Sequence, residues 1–88
     1  MSVEQTLAER GARYGDFSEH AEIAQGLQVV MQQTVGWASL PATHRQALTV
    51  IADKIARVLS GDHDYADNWH DIQGYARLVE ERLPKDPA

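Results

Sequence analysis

The chain contains no cysteine, so neither a disulfide nor a cysteine-ligated metal can hold it together. It has no apolar run near the ~20 residues that a membrane span needs, and its first residues are polar and acidic, unlike a signal peptide. Prolines number three and aromatics are sparse. Basic residues are few as well: eight, scattered from Arg10 to Lys85, against thirteen acids, for a net charge of −5. No basic stripe or aromatic-basic platform forms, which argues against direct nucleic-acid binding through the phosphate backbone. Acidic surfaces attract metal ions or basic partners instead. Lack of cysteine fits a cytosolic protein.

At 88 residues the chain reads as a single domain over 1–88. A domain of this size buries only roughly 60–65% of the surface its unfolded chain exposes. Without disulfides, association is the natural way to bury more, so a homo-oligomer, a dimer or higher, is expected.

Helical spacing dominates the pattern and no strand alternation competes with it. The predicted architecture is all-α: a four-helix arrangement of one short N-terminal helix and three longer amphipathic ones. The first runs from about Val3 to Ala12, opened by a Ser2/Gln5 capping box. The second runs from about Phe17 to Val35, with Asp16 as its N-cap and Glu19 completing a second box. Trp37 and Leu40 then read as loop residues folded over the core. The third, about Pro41 to Ser60, carries Leu48, Ile51, Ala52, Ile55 and Leu59 on one face and ends at Gly61. The fourth, about Tyr65 to Leu83, turns Trp69, Ile72 and Val79 inward, with Asp64 as its cap. The tail 84–88 cannot continue a helix and is expected to fray. Leu27, Met31, Leu48, Ile51, Ile55, Trp69, Ile72 and Val79 form the expected core.

Two acidic groupings invite a chemical reading. Asp64, Asp67 and Asp71 share a helix face, where like charges repel unless cations or a hard metal sit between them. Asp64 and Asp67 are explained by helix-start chemistry, but Asp71, in the second turn, is not. Glu19 and Glu22 stand three apart at the start of the second helix. They read as metal ligands or as acids favoured by the helix dipole. Oxygen-only ligands of this kind suit magnesium or manganese. Lys54 and Arg57 either meet Asp67 and Asp71 across the helices or hold phosphate groups. His20, His44, His63 and His70 show no zinc spacing, no Ser-His-Asp triad is supported, and there is no glycine-rich phosphate loop, so catalytic residues are not identified.

Three segments carry a resemblance: Glu9-Arg10-Gly11-Ala12-Arg13-Tyr14-Gly15-Asp16-Phe17, then Lys54-Ile55-Ala56-Arg57, then Asp67-Asn68-Trp69-His70-Asp71-Ile72-Gln73-Gly74-Tyr75-Ala76. Together they resemble a family of small phage and prophage proteins of uncharacterised function, over about residues 7 to 83 of this chain. That likeness implies the cytoplasm of a bacterial host cell. The layout also resembles, more distantly, the MazG-like all-α nucleoside triphosphate pyrophosphohydrolases. These carry an E-x-x-E pair on one helix and an E-x-x-D pair on a later one, and the four acids bind magnesium. The likeness implies magnesium on Glu19, Glu22, Asp71 and, in place of the missing glutamate, Asp67. It also implies a nucleotide ligand, with Lys54 and Arg57 on the phosphates. Position 68 is asparagine where that family has glutamate, so the second acidic motif is degenerate. Two functions stay open: a magnesium-dependent pyrophosphohydrolase or nucleotide-binding relative, and a non-catalytic phage accessory or interaction module whose charges form structural ion pairs.

Overall fold

The computed structural model describes residues 2–85 and is all-helical. Of the tail expected to fray, residues 86–88 lie outside the described residues. Five helices, not four, are present among the described residues: α1 (Val3–Tyr14), α2 (Phe17–Gln32), α3 (Val35–Ser39), α4 (Ala42–Ser60) and α5 (Ala66–Glu80). None is long and apolar enough to cross a membrane.

The helix starts follow side-chain chemistry. Ser2 Oγ accepts from the Gln5 N–H, and Gln5 Oε1 accepts from the Ser2 N–H, which completes the expected box. Asp16 accepts from the Glu19 N–H at 3.1 Å. The Ser18 hydroxyl donates to the same carboxylate, and the expected return bond from the Glu19 side chain to the Asp16 N–H is not formed among the described residues. The added helix, α3, begins at Thr34, whose hydroxyl accepts from the Trp37 N–H at 3.1 Å. Trp37 is therefore helical rather than in a loop. Arg45, on α4, donates to the Trp37 and Ala38 carbonyls at 3.1 and 2.7 Å at the end of α3, the first of which also accepts from the Leu40 N–H. At α5 the cap is Tyr65, which makes no side-chain capping bond. Asp64 instead stays in the preceding turn, donating its N–H to Asp62 Oδ1 at 2.9 Å.

α4 lies between α2 and α5 and packs against both, and α1 touches α2 and α4. The packed residues are small: Ala47, Ala52 and Ala56 of α4, Ala24 of α2, and Asn68 of α5. The expected core of large side chains is therefore corrected for the single chain. Leu48 and Ile55 remain 39% exposed and Trp69 50%, while Leu27, Met31, Ile51, Ile72 and Val79 are half-buried. The periodicity located a real apolar stripe on α4, but alanines face the neighbouring helices.

The α1–α2 junction crosses the end of α4 at two glycines. Gly15 has φ +79°, and a Cβ there would fall 1.7 Å from the Ser60 carbonyl oxygen. A Cβ on Gly61 would fall 2.3 Å from the Tyr14 carbonyl carbon. The crossing is closed by the Asp62 N–H, which donates to the Arg13 carbonyl at 2.9 Å. The Ser60 hydroxyl lies 3.0 Å from the Tyr14 carbonyl and 2.8 Å from that of Ala56. Gly15→Ala is expected to destabilise the fold by about 1–3 kcal/mol or more, since both φ and space are wrong for a side chain. A shift of the urea midpoint to lower denaturant would register it, and an unchanged midpoint would refute the crossing.

Candidate functional site

The charged residues of α4 point in two directions. Lys54 Nζ donates to Asp71 Oδ2 of α5 at 2.9 Å. On the α2 side, Asp53 lies between His20 and Arg57. Its Oδ1 is 2.8 Å from His20 Nε2, and its Oδ2 is 3.2 Å from Arg57 Nε. The second approach is an ion pair without hydrogen-bond geometry. The Arg57 guanidinium then stacks over the Tyr14 ring at 4.5 Å, with Arg10 at 5.1 Å from the same ring.

An aromatic chain continues from there. Tyr14 meets Tyr65 edge to face at 5.9 Å, and Arg13 lies 5.3 Å from the Tyr65 ring. The Tyr65 hydroxyl donates to Asp67 at 3.0 Å. That bond to a carboxylate, with partial desolvation, raises the Tyr65 pKa. The Lys54 hydrogen bond is the main cause holding the Asp71 pKa below its ordinary value of 3.8, with smaller help from Lys54, His70 and Arg57 charge. The Ser18 hydroxyl, and then the Glu19 N–H, lower that of Asp16.

The four acids considered as magnesium ligands stand as follows. Asp71 is taken by Lys54 and Asp67 by Tyr65. Glu19 and Glu22 are exposed on α2. Among the described residues no group of three or more acids or histidines is placed to hold a metal ion. Of the two cations considered for phosphate, Lys54 pairs with Asp71 and Arg57 borders a cleft. That cleft, about 520 Å³, lies at the α1–α2 junction and is lined by Arg10, Tyr14, Phe17, His20 and Arg57 among others.

Asp53 escaped the sequence reading, although its i,i+4 spacing to Arg57 was a readable signal. Asn68 entered that reading as the departure from the acidic motif, not as a buried residue. It is 1% exposed, and neither Oδ1 nor Nδ2 has a hydrogen-bond partner among the described residues. Nothing in the pattern distinguishes a buried asparagine from a surface one.

These features define a small all-helical domain in which α4 is tied by ion pairs to the helix on either side. Residues 2–83 match the family model described as "Domain of unknown function (DUF6378)", and the chain belongs to that family. No curated protein and no solved structure matches it.

A depressed carboxyl pKa adds stability above the unfolded value, and this is lost as pH falls through the lower folded one. Asp71→Asn is therefore expected to lower the melting temperature at neutral pH, with parent and variant converging as the pH falls through the lowered folded value. Thermal melts by circular dichroism across that range check it, and a variant melting as high as the parent at neutral pH would contradict it. Asn68→Leu keeps the branching of the side chain and removes two unpaired buried polar atoms. It is expected to raise stability by about 1–3 kcal/mol in urea denaturation. A loss of stability would mean that the amide has a partner.

Proposed function

We propose that this domain is a non-catalytic helical interaction module, a phage accessory protein by its sequence likeness, whose acids and bases serve mainly to join its own helices. The Lys54–Asp71 ion pair carries this reading. Of Asp64, Asp67 and Asp71, only Asp71 is left over by helix-start chemistry, and its charge is already met by an ammonium 2.9 Å away. A divalent metal on Asp71 would have to displace that ammonium or sit beside it, and like charges at such a distance repel. Asp53 is engaged in the same way by His20 and Arg57.

A second reading has the cleft at the α1–α2 junction in its favour. Arg10 and Arg57 offer cationic donors and His20 a ring nitrogen, while Tyr14 and Phe17 offer ring faces. Phosphate oxygens suit the first group and a nucleobase the second. This is the reading of a nucleotide-binding relative of the MazG-like pyrophosphohydrolases. Its magnesium-dependent form would use Glu19, Glu22, Asp67 and Asp71 as ligands, with Lys54 and Arg57 on the phosphates, and would require the Lys54–Asp71 pair to open.

Thermal unfolding with magnesium or manganese and a nucleoside triphosphate separates the two. The interaction module melts at the same temperature with and without them. A ligand at ~100 times its dissociation constant adds about 2.7 kcal/mol, which a domain of this size registers as a clear upward shift. Such a shift, abolished in Asp71→Asn, would overturn the non-catalytic reading.

A further inference from the structure

The α2–α4–α5 layer has two unlike sides. On one lie the ion pairs of Asp53, Lys54 and Arg57, together with Gln25 and Gln28 of α2. On α4, helical geometry sets Leu48, Ile55 and Leu59 within about 40° of one another and roughly half a turn from Arg57. All three are exposed, Leu59 by 64%. On α5, Trp69 precedes Asp71 by two residues and so points away from the Lys54 contact. On α2, Leu27 lies opposite Gln25 and Val30 opposite Gln28 by the same spacing. The second side of the layer is thus an open apolar face spanning three helices.

The extent of exposed surface matches that picture. The structure exposes 6533 Å². A folded monomer of this mass exposes about 5,200 Å². The surplus, about 1,300 Å², exceeds the roughly 800 Å² that each partner contributes to a standard interface. The radius of gyration, 15.5 Å, is also large; a chain of this length packs to about 12 Å. A single layer of helices leaves one apolar side unpaired, and stable domains cover it with a second layer.

We infer that this face docks on the same face of a second copy of the chain, giving a two-layer homodimer with the ion pairs turned outward. A second copy fits for three reasons. The surplus area is large enough to supply one protomer's share of a standard interface. Leu48 and Ile55 repeat at seven residues, a spacing with which helices pack against copies of themselves. None of the six apolar residues carries charge, so two acidic chains meet there with their charges at the periphery. The inference is independent of whether the ion-paired side ever takes a nucleotide.

Sedimentation equilibrium of the full chain at micromolar concentration is expected to give twice the single-chain mass. Ile55→Glu is expected to weaken dimerisation by roughly tenfold or more. Because a charge at that position also tests the fold, a second measurement uses the absence of cysteine. Leu48→Cys, Ile55→Cys and Leu59→Cys are oxidised one at a time, with Gln28→Cys as the opposite-face control. At least one of the first three is expected to give a disulfide-linked dimer, and the control none. A helical wild-type monomer at that concentration, or cross-linking confined to the control, would overturn the inference.

Discussion

The helices meet through alanine. Ala47, Ala52 and Ala56 of α4 and Ala24 of α2 are the buried apolar residues of the described chain, and Ala56 is fully enclosed. Small side chains let helix axes come close, toward the lower end of the usual 8–10 Å. They also remove little apolar area from water, and the hydrophobic contribution scales with that area. The seam therefore sets α2, α4 and α5 side by side without itself supplying a large core. The big aliphatic side chains are left at the margins and on the outer face.

The ion pairs are best understood against that seam. Lys54 is mostly covered, but Asp71 is accessible, and pairs of this kind contribute modestly to stability. Their geometric effect is greater. An alanine seam is smooth, and helices in contact through methyl groups can slide by a turn with little change in packing. Lys54 on Asp71 sets the register of α4 against α5. Asp53, between His20 and Arg57, does the same for α2. Arg57 extends that constraint to α1 through the Tyr14 ring.

Much of the fold was legible in the sequence wherever local chemistry decides it. The Ser2/Gln5 box, the Asp16 cap and the Gly61 terminus stand where the residues indicated. The short α3 was missed because five residues carry no periodicity, although Thr34 three before Trp37 was a usable capping signal. The inward face of α4 was misjudged for a different reason. Hydrophobic spacing finds a stripe but does not say whether its neighbour belongs to the same chain, and alanine reads as neutral in such a pattern. In the candidate site, a meeting of Asp71 with Lys54 was one of the two alternatives that spacing left open. Which of them holds depends on the distance between α4 and α5, and no motif encodes that distance.

α1 differs from the other helices in how it is held. Like the short α3, it contributes no buried residue, but at twelve residues it is a full helix. Its anchors are the crossing of Gly15 with Ser60 and Gly61 and the arginine–tyrosine contacts around Tyr14 and Tyr65. Releasing it exposes little apolar surface and leaves the α2–α4–α5 seam untouched, so it is the low-energy opening of this molecule. Fast exchange of its amides is the expected consequence, with those of mid-α4 opening last. The cleft beside Tyr14 has one wall built from this arm, so its width follows a local equilibrium and not the stability of the whole domain.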